Sequence, residues 1–156
     1  MSQPAPSTSE VSAEDFAYIH EQVRDFVRSA VVPRENEIMR EDRIPDDLRR
    51  AAAEMELFGY AIPSEWGGIG LDLAQDVELA MEFGYTSLSL RSMFGTNNGI
   101  AGQVLVGFGT EAQKKEWLAR IASGEVVASF APHRTPAPAR TPPACAPGPA
   151  ATGTTG

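Results

Sequence analysis

Apolar residues recur every three or four positions along most of the first 125 residues, a period that predicts helices rather than strands. Phe16, Ile19, Val23, Phe26, Val27 and Ala30 make one such stripe. Ser12 stands before it as an N-cap, with Asp15 at the third helical position in a variant of the capping box. Pro33 is expected to stop that helix, because it lacks the N–H that the turn needs. A charged stretch, 34–43, follows. Pro45 can open a second helix with Asp46 and Asp47 near its positive end. Leu48, Ala52 and Met55 are its apolar stripe, and Gly59 is its expected end.

A third helix is expected over 73–83, with Val77, Ala80 and Met81 facing inward and Gly84 near its close. Glu78 and Glu82, four residues apart, predict its solvated face. A fourth helix spans 88–107. Thr110 caps a fifth, with Gln113 in capping-box position, Trp117, Leu118 and Ile121 as its apolar face, and Gly124 as its stop. Val126, Val127, Ser129 and Phe130 then read as the beginning of a strand that has no partner strand elsewhere in the chain. The expected fold class is all-α, an orthogonal or up-down bundle of about five helices with an incipient β-strand.

Composition changes after Ala131. Residues 132–156 hold seven of the 12 prolines and no Asp, Glu, Leu, Ile, Val, Met, Phe, Tyr or Trp. Such a segment cannot bury enough apolar surface to offset its ordering entropy, so a disordered tail is expected there. Residues 1–11, polar with two prolines, are expected to be disordered too. The chain therefore divides into a folded unit at 12–131 and two tails. The net charge of −8 disfavours nucleic acid as a partner, since there is no excess of cations to neutralise phosphates. No apolar run approaches the roughly 20 residues that span a bilayer, and 1–11 lacks signal-peptide character, so a cytoplasmic protein is expected. The single cysteine, Cys145, excludes an internal disulfide framework. His20 and His133 are too far apart in sequence to form a metal motif, and His20 reads as a core-edge or surface residue.

Two segments are candidates for chemistry. The loop 61–70, Ala-Ile-Pro-Ser-Glu-Trp-Gly-Gly-Ile-Gly, reads either as a structural connection with Trp66 packed over a helix end or as a loop beside a ligand. Its spacing is not a dinucleotide fingerprint. The fourth helix carries Gly95, Gly99 and Gly102 on one face, with Asn98 nearby. Each glycine costs about 1 kcal/mol relative to alanine in a helix interior, so something should approach the backbone closely. Either a second helix does so, or a thin apolar ligand chain does. Lys114, Lys115 and Arg120 read as a solvated helix face.

Taken together, Ile62–Gly70, Gly95-Thr96-Asn97-Asn98-Gly99-Ile100, 109–118, 122–125 and 128–131 resemble the amino-terminal helical domain of the acyl-CoA dehydrogenases, in family order. The resemblance implies a flavoenzyme with a middle β-domain and a second helical bundle. Such enzymes use FAD to oxidise an acyl-CoA thioester to its 2,3-enoyl form and pass electrons to an electron-transferring flavoprotein, commonly as homo-oligomers. By position, Gly95, Asn98, Gly99 and Gly102 are the candidates for the acyl-chain pocket. Phe130 and Ala131 match the start of the flavin-contacting strand. No glutamate in the chain matches the family's catalytic base, so a fragment without catalysis is expected.

Reverse translation of the tail, read one base later at 132–136 and two bases later at 135–149, permits the family's Leu-Thr-Glu-Pro-Gly-Ala-Gly-Ser-Asp pattern. An out-of-frame tail is the expectation. A non-enzymatic interaction module and an acyl-CoA-binding fragment are the alternatives.

Overall fold

The computed structural model describes residues 9–129. The tail 132–156 and residues 1–8, expected to be disordered, lie outside them. Ser9–Val11, expected within the same disordered start, are held in place: the Ser9 hydroxyl donates to Gln75 at 2.5 Å, and the Glu10 N–H donates to the Gly70 carbonyl at 3.2 Å.

The first helix, α1 (Ala13–Asp25), starts as its cap predicts, with the Asp15 N–H donating to Ser12 Oγ at 3.1 Å. It does not end at Pro33. The rod passes through a π turn (Phe26–Val31) and a 3-10 turn (Val32–Arg34) into α2 (Glu35–Glu41). Pro33 lies in the first turn of the new segment, where a missing N–H breaks no helical bond. The wider π turn ahead of it makes room for the ring. Next, α3 (Asp46–Glu54) ends five residues before Gly59, because Glu56 turns left-handed at φ 58°.

Full capping boxes start α4 (Leu73–Phe83) at Asp72 and Gln75, and α7 (Glu111–Ala122) at Thr110 and Gln113. Between them a second interrupted rod comprises α5 (Leu88–Thr96), a π turn (Asn97–Gly102) and α6 (Gln103–Phe108). Five helical rods result: α1 with α2, α3, α4, α5 with α6, and α7. The chain past α7 forms no strand among the described residues, although 126 and 128 are half-buried where 127 and 129 are exposed.

One apolar core joins the first rod, α3, α4, α5 and the start of the loop 57–72. At its centre Phe58, Tyr60, Phe83 and Phe94 are all fully buried, and the Phe83 and Phe94 rings lie 4.7 Å apart. Such aromatic contacts add about 0.5–1.5 kcal/mol beyond burial. A smaller cluster of Ile62, Leu118, Ile121 and Ala122, with Trp66 against it, seats α7 on the loop. Leu118 and Ile121 are buried as expected, whereas Trp117 is on the margin at 36% exposure.

The inward face of α4 differs from the expectation. Leu79, Glu82 and Phe83 are buried, while Val77 and Met81 point outward. Glu82, expected on a solvated face, is instead a buried carboxylate. Arg28 Nη2 lies 3.2 Å from it, Arg24 Nε 3.5 Å and His20 Nε2 3.8 Å. The two arginines from α1 and its π turn make burial of that charge tolerable. No helix among the described residues is long and apolar enough to cross a membrane, and no group of three or more His, Cys, Asp or Glu there could hold a metal.

Candidate functional site

The site is built around the π turn of the second rod. Such turns are rare and concentrate at functional positions, and this one places two fully buried asparagines side by side. Asn98 Nδ2 donates to the carbonyls of Leu57 at 2.9 Å and Phe94 at 3.1 Å, and its Oδ1 accepts the Ala61 N–H at 2.9 Å. Asn97 Nδ2 donates to the carbonyls of Ile121 and Val126, and its Oδ1 accepts the Ala128 N–H. Buried amides are tolerated when every polar atom has a partner, as both have here.

On one flank the turn meets the loop between α3 and α4. That loop is pinned by its own backbone: the Gly70 N–H donates to the Ile62 carbonyl and the Leu71 N–H to the Tyr60 carbonyl, each at 2.9 Å. Gly68 is required there, since a Cβ would strike the carbonyls of Ile62 and Gly59. Between loop and rod lies a cleft of about 370 Å³ lined by Ala61, Pro63, Leu71, Asp72, Leu73, Asp76, Gly99, Gln103 and Val106. It has a polar side. Asp76 accepts the Tyr60 hydroxyl at 2.7 Å, and Gln103 Nε2 donates to the Ala61 carbonyl at 2.9 Å. Burial first, and then the Asp76 carboxylate, push the Tyr60 phenol well above its usual range.

On the opposite flank, Thr96, Ile100, Ala101, Val104, Leu105 and Ser129 line a groove of about 240 Å³. Two hydroxyls are the only side-chain polar groups among them. Ile100 and Val104 are 42% and 53% exposed along it.

The four residues singled out for an acyl pocket therefore do not converge on one cavity. Only Gly99 opens on space, lining the polar cleft with nothing within 4 Å of a built Cβ. Gly102 is buried, and a Cβ there would meet the Asn97 carbonyl and lie 3.1 Å from Ile62 Cγ1. At Gly95, also buried, the Arg91 guanidinium folds over the backbone. Asn98 is spent on the fold. The sequence singles out none of Ile100, Val104 and Leu105, because apolar residues within an apolar helix carry no signal of their own. Asn97 was missed although a pair of asparagines inside an apolar helix was the available signal. Phe130 and Ala131, assigned to flavin contact, lie outside the described residues.

Neither the cleft nor the groove is lined by a lysine or arginine that would hold the diphosphate of FAD or of a coenzyme A thioester.

Comparison with known proteins identifies the scaffold. Residues 13–125 match the family described as acyl-CoA dehydrogenase, N-terminal domain. The chain is 37% identical over 115 residues to (2S)-methylsuccinyl-CoA dehydrogenase of Cereibacter sphaeroides, covering 73% of this chain and 21% of that protein. It is 30% identical over 131 residues to the mitochondrial very long-chain specific acyl-CoA dehydrogenase of Mus musculus, covering 82% of this chain and 20% of that protein. A crystal structure of an acyl-CoA dehydrogenase complexed with FAD from Bacillus anthracis superposes with a TM-score of 0.62 at 31% identity, covering 74% of this chain and 20% of that one. The chain thus spans about a fifth of the length of these relatives. It belongs to the acyl-CoA dehydrogenase family, and residues 13–125 are the family's amino-terminal helical domain.

Proposed function

We propose that this chain supplies one wall of the acyl site of an FAD-dependent acyl-CoA dehydrogenase, which oxidises an acyl-CoA thioester to the 2,3-enoyl thioester. The observation that carries this reading is the apolar groove of Thr96, Ile100, Ala101, Val104 and Leu105. Ser129 also lines it, one residue before Phe130 and Ala131, which the family resemblance assigns to the flavin. An alkyl chain gains about 25 cal/mol per Å² of apolar area removed from water, and the groove offers it no desolvation penalty comparable to the Asp72, Asp76 and Gln103 side of the polar cleft. In this reading Gly95, Asn98, Gly99 and Gly102 shape the rod that carries the wall, and the chain slides along the opposite flank.

Bound FAD would accept the β-hydrogen as hydride. The described residues bind and orient the alkyl chain and exclude water from it. No acid or base lines the groove, so removal of the α-proton falls to residues outside 9–129, and the 156-residue chain alone is expected not to turn over. Transfer of electrons to an electron-transferring flavoprotein and assembly into homo-oligomers belong to the same proposal. Calorimetry with saturated acyl-CoAs of increasing length tests it: affinity should grow with chain length while an electron-acceptor dye stays unbleached, with or without added FAD. No binding at any length contradicts the acyl wall. A yellow, dye-bleaching preparation contradicts the placement of the chemistry elsewhere.

A second reading, a protein-interaction module, has its own observation. Leu73, Val77, Met81, Tyr85 and Leu88 stand exposed in a row along α4 and the start of α5, and such rows mark contact surfaces. A stable complex with one partner that survives size-exclusion chromatography, together with silent acyl-CoA calorimetry, favours that reading.

A further inference from the structure

Among the described residues the segment after α7 has no partner strand, yet its backbone is paired: the Val126 N–H donates to the Arg120 carbonyl at 3.0 Å, Arg49 donates to the Gly124 carbonyl at 3.1 Å, and one side chain holds two further groups. Asn97 Nδ2 donates to the Val126 carbonyl at 2.9 Å, and Asn97 Oδ1 accepts the Ala128 N–H at 2.8 Å. An extended chain presents the carbonyl of one residue and the N–H of the second residue on along the same edge. In a parallel ladder a single facing residue bonds that pair, donating to the one and accepting from the other. The Asn97 carboxamide performs both bonds with one side chain. The alternation of half-buried 126 and 128 with exposed 127 and 129 fits an extended run centred on Val127. The other Asn97 Nδ2 hydrogen reaches the Ile121 carbonyl in the last turn of α7, at 3.1 Å. The same amide thus holds both ends of the bend that the chain makes as it leaves the helix.

We infer that Asn97 is a positioning residue whose carboxamide acts as a one-residue parallel strand, fixing the register and direction of residues 126–128 as the chain leaves α7. Its functional consequence rests on the acyl-site reading above. Thr96 and Ile100, which flank Asn97 in the rod, line the groove together with Ser129, so one turn of helix would set both the acyl wall and the run 126–129 beside it. Asn97 is fully buried between the rod and α7, so its geometry is held by packing as well as by these bonds.

Backbone NMR on the full 156-residue chain tests this without flavin or acyl-CoA, so its failure and that of the acyl-site reading are separable. In the unaltered chain the Ala128 amide should exchange at least about tenfold more slowly than in an unstructured peptide. Asn97→Ala should abolish that protection while amides of Val23, Ala52 and Leu79 keep theirs. Asn97→Leu keeps about the same volume and loses both donor and acceptor without burying a charge. It should release Ala128 and shift the Val126 carbonyl carbon resonance upfield while the amides of Val23, Ala52 and Leu79 stay protected, a combination that a general loosening of the fold does not produce. An Ala128 amide that exchanges at the unstructured rate in the unaltered chain overturns the inference. So does Ala128 protection that survives Asn97→Ala or Asn97→Leu, or a Val126 carbonyl unmoved by Asn97→Leu. Should Asn97→Ala fail to fold, the unaltered chain and the Leu variant decide.

Discussion

The Tyr60 hydroxyl donates to Asp76 Oδ1 at 2.7 Å, tying the buried start of the loop to the first turn of α4. Tyr60 is fully buried, and its phenol titrates above its ordinary value near 10 because burial, and then the neighbouring carboxylate, oppose its ionisation. A pKa raised in the folded state gives stability that is present below the unfolded value and lost as pH climbs past it. Urea midpoints should therefore fall above about pH 10. Tyr60→Phe should lose about 1 kcal/mol at neutral pH and show a shallower alkaline decline. Ultraviolet titration should find one of the three tyrosines ionising only with unfolding.

Glu82 makes the second prediction. Its side chain is 9% exposed, whereas those of Arg24 and Arg28 are 45% and 48% exposed. Removing the carboxylate leaves two arginines that can turn to water, so Glu82→Gln should cost about 1–2 kcal/mol. Removing both arginines leaves a buried charge with only the His20 ring beside it, at 3.8 Å. Arg24→Ala with Arg28→Ala should cost about 3 kcal/mol or more, part of it from the loss of Arg28 over the Tyr85 ring at 4.2 Å. Urea denaturation reads the order of the two, and the reverse order refutes this account of the pair.

The glycines of the second rod should respond in opposite directions. Gly99 is exposed with open space around it, so Gly99→Ala should stabilise by about 0.5–1 kcal/mol through helix propensity alone. Gly102→Ala drives a methyl against the Asn97 carbonyl and the buried Ile62 side chain, and overpacking of that kind costs about 1–3 kcal/mol. Thermal melts of the two single variants are sufficient.

Those opposite signs are not encoded in the spacing of Gly99 and Gly102. Capping residues were legible because their chemistry is local: Ser12, Thr110 and Gln113 act within one turn. The register of α4 was not, because the helix carries two apolar stripes. Leu73, Val77 and Met81 form one, Leu79 and Phe83 the other, and only tertiary packing decides which is covered. Glu82 was assigned to solvent for the same reason, since its arginine partners are 54 and 58 residues away. Pro33 was read as a stop because a single-residue rule does not anticipate a π turn that admits the ring. The glycine pattern marks this rod, but spacing reports a shared face and not what that face meets. Close contact with Ile62 accounts for Gly102.

The central claim is that an alkyl chain lies on the Ile100 and Val104 flank of the second rod. Backbone NMR with isotope-labelled chain, titrated with a long-chain saturated acyl-CoA, measures this directly. The account predicts concentration-dependent shifts at Thr96, Ile100, Ala101, Val104 and Leu105, saturating together and abolished in Ala101→Trp, with Asp72, Asp76 and Gln103 little changed. Shifts confined to the Asp72, Asp76 and Gln103 cleft, or none at all, contradict it.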